Sequence, residues 1–178
     1  FVPPPRPLTP GGRTLSVFVP AGAPPAAPAS VLVLDGVELL WRRPIPGQVW
    51  SPPAIADLNG DGTPEIIVIS SRGGATPQRG GEPAGWLTVL SGDGRCLAQR
   101  SFEAELRAAP LVADVTGDGK LNVLVADRRG VLHCFDTGAS GAIEWGSAAG
   151  DVRNTRDAAN AYSYGQTPHG FQWRWRPR

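Results

Sequence analysis

Two segments of the chain carry oxygen-bearing side chains at alternate positions of a short, glycine-containing loop. The first reads Asp57-Leu-Asn-Gly-Asp-Gly-Thr-Pro-Glu65, and the second reads Asp114-Val-Thr-Gly-Asp-Gly-Lys-Leu-Asn122. Calcium is a hard cation that takes six to eight oxygen ligands at ~2.3 to 2.6 Å, which a tight loop supplies from alternate positions. The glycine at position 6 of each segment permits the sharp bend that such a loop requires. The spacing therefore predicts one calcium site in each segment.

The predicted ligands are the side chains at positions 1, 3, 5 and 9 and the backbone carbonyl at position 7. They are Asp57, Asn59, Asp61, Thr63 and Glu65 in the first loop, and Asp114, Thr116, Asp118, Lys120 and Asn122 in the second. The first loop offers three carboxylates and the second offers two, so we expect the first loop to bind calcium more tightly. A competing interpretation is that Asx turns and glycines close both loops without a metal.

The two loops begin 57 residues apart and belong to a repeated unit of strands and turns. In each unit one strand precedes the loop, a second strand follows it, and a hairpin completes the unit. The predicted strands cover 54–56, 65–69, 86–90 and 95–100 in the first unit, and 111–113, 122–126, 131–135 and 142–145 in the second. Four short antiparallel strands per unit are typical of one β-propeller blade.

These patterns predict an all-β chain that forms a partial β-propeller of about two and a half four-stranded blades. An extended, proline-rich N-terminal arm or linker covers 1–30 with one short strand near 15–19, the blades cover 31–156, and a tail covers 157–178. Residues 31–45 are predicted as the outer hairpin of a preceding, incomplete blade. A propeller hides its sheet edges by closing a ring of about 4 to 8 blades. We therefore expect the remainder from a longer chain, from another subunit, or from a partner that covers a small open stack.

The overall composition excludes several classes of protein. The 23 Gly and 19 Pro residues are too many for long helices or a coiled coil. A formal net charge of +1 without a basic run argues against nucleic-acid binding, and no apolar stretch reaches the ~18 to 20 residues of a membrane helix. The chain has no Met and opens at Phe1, which indicates a processed product or a piece of a longer chain. Cys96 and Cys134 are compatible with one disulfide or with two free thiols.

Features outside the loops support secondary predictions. The connection over 70–85, rich in Gly, Pro and Arg, is either a recognition loop or a disordered insertion. Trp41 and Trp145 occupy equivalent hairpin positions and are predicted to pack between blades, and His133 is predicted as a packed residue. Residues 171–178 alternate aromatic residues with Arg, which predicts a strand with an aromatic face and a cationic face. Such a strand would pair with an edge strand or dock on a partner.

Residues 56–68, which read Ala-Asp-Leu-Asn-Gly-Asp-Gly-Thr-Pro-Glu-Ile-Ile-Val, resemble the calcium loop of FG-GAP/VCBS repeats, as in integrin α-chain propellers and many bacterial surface proteins. The hairpins that begin at Val31, Leu87 and Leu132 resemble quinoprotein-type propeller repeats. The resemblance covers about 31–156, and the second loop departs from the family pattern at Thr116 and Asn122. It implies a domain that binds proteins or glycans, since only a minority of such domains are lyases or dehydrogenases.

The sequence therefore predicts a non-catalytic, calcium-stabilised β-propeller repeat module that serves as a scaffold or protein-interaction subunit. No nucleophile elbow, glycine-rich phosphate loop or histidine cluster occurs in it. We expect an extracytoplasmic location (secreted, cell-surface or periplasmic), where calcium at millimolar levels would fill modest sites. The expected partner is another protein chain that completes or covers the propeller. The alternatives are a fragment of a polysaccharide lyase or quinone-dependent dehydrogenase, and a glycan-binding module.

Overall fold

The structure is a computed structural model that describes residues 6–8, 15–20, 29–73 and 83–147. Within these residues every regular element is a strand, which confirms the all-β prediction. No helix in the described ranges is long and apolar enough to cross a bilayer. The predicted strand in the C-terminal tail and the central part of the 70–85 connection lie outside the described residues.

The described residues form twelve strands in three open antiparallel sheets. The strands are β1 (Arg6–Leu8), β2 (Leu15–Phe18), β3 (Ala29–Asp35), β4 (Glu38–Ile45), β5 (Ala54–Ala56), β6 (Glu65–Ser71), β7 (Gly85–Leu90), β8 (Cys96–Phe102), β9 (Leu111–Ala113), β10 (Asn122–Ala126), β11 (Leu132–Asp136) and β12 (Ile143–Trp145). Their order is β1-β2-β3-β4 in sheet 1, β12-β5-β6-β7-β8 in sheet 2, and β9-β10-β11 in sheet 3.

Sheet 2 is the middle layer of the molecule because its strand β6 is apolar on both faces. Ile66 and Val68 pack in a core with residues of sheet 1, whereas Ile67 and Ile69 pack in a second core with residues of sheet 3. Every residue of β6 is buried. A continuous β-branched run is typical of a strand that is covered on both sides.

The predicted strands that flank the two loops are found. Those over 54–56, 111–113 and 122–126 have the predicted bounds. Four others are shifted by one or two residues at their ends, and these are the predictions over 65–69, 86–90, 95–100 and 131–135. The meander β5-β6-β7-β8 therefore has the four-stranded order of the predicted unit.

The prediction that 142–145 completes the second unit beside β11 is wrong. In the structure β12 pairs with β5, with Ile143 opposite Ala56, so the described part of sheet 3 has three strands and sheet 2 has five. The Asp57 N–H donates to the Ala142 carbonyl at 2.8 Å. This bond fixes the chain after β11 against the first loop, so it crosses to sheet 2 instead of turning back along β11.

Part of the predicted N-terminal arm belongs to sheet 1. Strand β2 lies where the short strand near 15–19 was predicted, and it pairs with β3, placing Val17 opposite Val33. Both valines are buried, because alternate apolar residues of β2 face the core between sheets 1 and 2. The predicted hairpin over 31–45 is thus half of a four-stranded sheet in which β1 and β2 form the other half.

Trp41 joins sheets 1 and 2, in line with its predicted packing role. Its indole Nε1 donates to the Gly92 carbonyl at 2.9 Å, and its ring lies against Gly94 at the tip of the β7–β8 hairpin. The side chain of Trp145 lies outside the described part of the structure. Cys96 and Cys134 are both free and exposed.

Candidate metal centre

The two loops have the same backbone conformation at their glycines. The first loop joins β5 to β6 and contains Gly60 and Gly62 at φ values of 77° and 83°. The second joins β9 to β10 and contains Gly117 and Gly119 at 78° and 82°. Other L residues enter this left-handed region at a cost of roughly 1–2 kcal/mol. The predicted bend at position 6 is confirmed, and position 4 has the same requirement.

The carboxylate at position 1 organises the first loop. Asp57 Oδ1 accepts the N–H groups of Gly60 at 2.7 Å and of Asp61 at 3.2 Å, and its Oδ2 accepts the N–H of Gly62 at 2.9 Å. The Thr63 N–H donates to Asp61 Oδ1 at 2.7 Å. The Asp61–Thr63 bond is an Asx-turn bond, and the Asp57 bonds reach further along the same loop; such bonds were predicted as the alternative to a metal.

The side chain at position 9 closes each loop from the far side. Glu65 Oε2 accepts the N–H of Leu58 at 2.7 Å, and Asn122 Oδ1 accepts the N–H of Val115 at 3.0 Å. Glu65 is 2 % exposed and Asn122 is 1 % exposed. Both residues were predicted only as metal ligands, and this bond was not predicted. Their position at the first residue of β6 and β10 was the available signal, since a polar residue there requires a local partner.

Three predicted ligands of the first loop meet at one point. Asn59 Nδ2 donates to Asp61 Oδ2 at 3.0 Å and to Glu65 Oε1 at 3.2 Å. Asn59 Oδ1 accepts the N–H of Asp61 at 2.8 Å. The side chains at positions 3, 5 and 9 are therefore brought together, with the partial positive charge of an amide group between two carboxylates.

The second loop repeats the turn and brings fewer ligands together. Asp114 accepts the N–H groups of Gly117 at 2.7 Å and Gly119 at 2.8 Å. Asp118 Oδ1 accepts the Thr116 hydroxyl and the Lys120 N–H, each at 3.0 Å. Positions 3 and 5 are thus in contact, as they are in the first loop. At position 9, the hydrogen bond shown for Asn122 is the one from the Val115 N–H at position 2.

The electrostatic environment differs between the loops. Burial raises the pKa of the Glu65 carboxyl, and the nearby Asp61 and Asp57 carboxylates raise it further against the lowering effect of the Leu58 amide. The ion pairs formed between described residues all lie elsewhere. In the second loop the Lys120 amide and then the Thr116 hydroxyl lower the pKa of Asp118. Among the described residues, the three carboxylates of the first loop have N–H donors as partners and no Lys or Arg side chain in an ion pair.

The base of the first loop is covered by the segment that connects β11 to β12. A Cβ atom on Gly141 would lie 1.9 Å from the backbone oxygen of Asp57, so only glycine fits there. Gly60 faces the same segment at Ala139 and Ser140. Asp57 is consequently 6 % exposed, whereas its counterpart Asp114 is half-buried. No local pattern in the sequence indicated this contact.

The carboxylates of the first loop keep acceptor sites that their hydrogen bonds do not use. A carboxylate has about four lone-pair sites. Asp57 accepts three hydrogen bonds, and Asp61 and Glu65 accept two each. Each of the three side chains thus retains oxygen lone pairs that a hard cation prefers.

The described residues nevertheless contain no group of three or more His, Cys, Asp or Glu side chains that could hold a metal ion. In the first loop the carboxylates are directed at backbone amides and at the Asn59 amide group. The ten predicted ligands, including the carbonyls of Thr63 and Lys120, therefore stay a prediction.

His133 is packed rather than arranged with a nucleophile. Its ring makes an edge contact with Phe102 at 4.9 Å between centroids, and its Nε2 lies 3.1 Å from Asp127 Oδ2. The Asp127 Oδ1 atom accepts the N–H groups of Arg129 and Val131 in the β10–β11 turn. The histidine therefore supports the turn.

Comparison of the chain with protein-family models, curated proteins and solved structures finds no match.

Proposed function

We propose that this chain is a non-catalytic scaffold module, part of a β-propeller, whose sheet corners are stabilised by calcium. The observation that carries the proposal is the convergence of Asn59, Asp61 and Glu65 in a loop whose backbone the second loop reproduces. Three carboxylates in one nine-residue loop repel each other unless a cation or a proton compensates them. The raised pKa of Glu65 has that origin in part.

The bound ion would act on stability and would take no part in a reaction. Asp57, Asp61 and Glu65 would contribute carboxylate oxygens, and Asn59 would contribute its amide oxygen after its side chain turns. Calcium would supply positive charge between these groups. Since Asp57 directly follows β5 and Glu65 begins β6, the loop would hold two neighbouring strands of the middle sheet together.

The arrangement of three stacked sheets supports the part of the proposal that concerns a protein partner. Leu132 is 63 % exposed on the outer strand of sheet 3, and Leu39 is 50 % exposed on the outer strand of sheet 1. Val37 and Leu97 are also exposed at outer hairpins. A partner chain would cover these exposed apolar side chains. We place such an assembly outside the cytoplasm, where calcium is abundant enough for modest sites.

Thermal unfolding with and without calcium tests the metal component. We expect saturating calcium to stabilise the protein by about 2.7 kcal/mol at one hundred times Kd, which corresponds to a Tm increase of roughly 5–10 °C. Asp61→Ala should remove most of that increase, and the matched Asp118→Ala should remove less. Magnesium at the same ionic strength serves as the control, because it requires a stricter octahedral site.

The result that contradicts the proposal is a melting curve that calcium and EGTA both leave unchanged. The partner component is tested separately by the native mass of the assembly in its source. A chain found only as a free monomer there would exclude the scaffold role without affecting the calcium result.

A further inference from the structure

One edge of sheet 3 has backbone groups without a strand partner in the described part of the chain. The β10–β11 hairpin is bounded by bonds from the Asp127 N–H to the Val131 carbonyl and from the Thr137 N–H to the Leu121 carbonyl, at 2.9 and 3.0 Å. Backbone groups of an antiparallel strand alternate in direction. The odd-numbered residues of β11 therefore direct their backbone N–H and C=O groups toward β10. The even-numbered residues Leu132, Cys134 and Asp136 direct their N–H and C=O groups away from it.

The neighbouring sheet shows what is missing beside this edge. In sheet 2, β8 is the fourth strand of the meander, and its Ala98 and Arg100 are paired with Val89 and Leu87. Paired residues share a face, and Leu87 belongs to the core on the sheet 3 side. Ala98 and Arg100 nevertheless are exposed. Sheet 3 ends one strand short of β8, so no described strand covers them.

An apolar groove lies between these outer strands. It has a volume of about 440 Å³ and is lined chiefly by Leu58, Leu87, Val89, Ala98, Val123 and Phe135. The Arg100 guanidinium lies 5.3 Å from the centre of the Phe135 ring at its side. A strand added to the free edge of β11 would direct every second side chain toward β8 and into this groove.

We propose that residues 171–176 of this same chain add to the free edge of β11 as the fourth strand of sheet 3. In this segment Phe171, Trp173 and Trp175 alternate with Gln172, Arg174 and Arg176. As a strand, this segment would direct its three aromatic side chains to one face, where they would fill the apolar groove. The other face would lie beside Cys134 and the carboxylate of Asp136, where the Arg side chains would remain in water. Backbone bonds to an open edge supply affinity, and alternate side chains supply selectivity.

The chain is long enough to bring this segment to β11. The described residues end at Ser147, and 23 residues (148–170) precede Phe171. When extended, such a connection spans up to about 75 Å. A domain of this size has a radius of gyration of about 13 Å. Addition within one molecule is therefore sterically available, and it is favoured over addition between molecules by the high effective concentration of a tethered segment.

Disulfide trapping in the full chain tests the proposal, with native Cys134 as the fixed partner and Cys96→Ser as background. Single cysteines are placed at 171 to 176 in turn. Paired residues on adjacent antiparallel strands have Cα atoms about 4.5–5.5 Å apart, which suits a disulfide. We expect rapid oxidation to a monomeric, cross-linked product for at least one of Gln172→Cys, Arg174→Cys and Arg176→Cys. The matched variants Phe171→Cys, Trp173→Cys and Trp175→Cys should react at least tenfold more slowly.

Three results would overturn the proposal. They are absence of cross-linking at all six positions, equal rates on both faces of the segment, and products that are exclusively dimers. The last result would assign the edge to a second copy of the chain.

Hydrogen exchange provides a second measurement that requires no new bond. In the Trp173→Ser/Trp175→Ser variant, the amides of Leu132, Cys134 and Asp136 should exchange at least tenfold faster than in the unmodified chain. The amides of β3 should exchange at an unchanged rate. Unchanged exchange in β11 would contradict the proposal. Neither measurement depends on calcium, so a negative result leaves the proposed metal site untouched.

Discussion

The two aspartate loops share one backbone and differ in what surrounds it. Both use a position-1 aspartate to accept N–H groups from the glycines at positions 4 and 6. Asp57 is covered by the segment around Gly141, whereas Asp114 has no such cover among the described residues and is half-buried. The nine-residue motif therefore specifies its own turn. The burial of its first aspartate depends on a distant part of the chain.

The charge at position 9 is the second difference. Glu65 and Asn122 accept the same backbone bond and are equally buried, so the two residues are structurally equivalent. Only Glu65 adds a third carboxylate, and its pKa is raised. This difference predicts that the first loop binds calcium more tightly than the second. Four experiments on single variants or pairs of variants test the differences between the loops.

The largest effect is expected for Gly141→Ala, which acts on the first loop alone. A Cβ atom there would overlap the Asp57 backbone, so the β11–β12 segment must move away from the loop. We expect a loss of about 3 kcal/mol, since overpacking against backbone cannot relax by a side-chain rotation. Urea denaturation measures the loss. Ser140→Ala is the matched control in the same segment and should change stability by less than about 0.5 kcal/mol. A neutral Gly141→Ala would show that the two loops are equally independent of this segment.

The next largest effect is expected from removing the position-1 carboxylates. Asp57→Ala takes the acceptor from three N–H groups, and Asp114→Ala takes it from two at a more exposed site. Without calcium we expect losses of about 2 kcal/mol and about 1 kcal/mol, because water satisfies the exposed amides in part. Urea denaturation in EGTA checks both values. Equal losses would contradict the claim that burial distinguishes the loops.

An exchange of charge at position 9 should bring the calcium affinities of the loops together. Glu65→Gln removes a carboxylate from the first loop, and Asn122→Asp adds one to the second, with little change of shape in either case. We expect a change of about tenfold in Kd at the altered loop, equivalent to ~1.4 kcal/mol, with affinity following ligand charge. Calorimetric titration of each variant measures it. An unchanged calcium Kd in both variants would exclude the position-9 side chain as a ligand.

The smallest effect concerns the pH dependence of stability without calcium. The pKa of Glu65 is higher in the folded state, so its contribution is fully present below the unfolded pKa and is lost as pH rises through the folded pKa. The pKa of Asp118 is lowered, so its contribution is present at neutral pH and is lost as pH falls. Between about pH 4 and 7, Glu65→Gln should flatten a decline of Tm with rising pH by a few degrees. Asp118→Asn should instead reduce the fall of Tm at acidic pH.

The local features of the fold were largely predictable from the sequence. The short, continuous apolar runs bounded by turn residues predicted β5, β6, β9 and β10 within two residues, because a strand that is covered on both faces has no polar face. The glycines of the loops predicted positive φ angles, because a residue without a Cβ atom enters this region at no steric cost. The position-9 bond was not predicted, although its residues were named, since its partner is a backbone amide that any residue carries.

The partner of β12 was the part that local reasoning placed wrongly. A three-residue strand satisfies its backbone equally well on either of two open edges, and its sequence distinguishes them poorly. The Asp57–Ala142 bond and the close contact at Gly141 select the edge of β5. That choice also leaves β11 with one described strand partner and buries the base of the first loop.

The amino-acid sequence by itself determined the all-β class, the turns of both loops and the placement of their oxygen atoms along the chain, because steric and hydrogen-bonding preferences act between neighbours. Tertiary structure alone decided that Asp57 at the start of the first loop is buried while Asp114 is half-buried, and that sheet 3 has an open edge in the described part of the chain. Both outcomes depend on which sheet edge pairs with the segment after β11. That choice is made by contacts between residues far apart in the chain, which no local sequence pattern predicts.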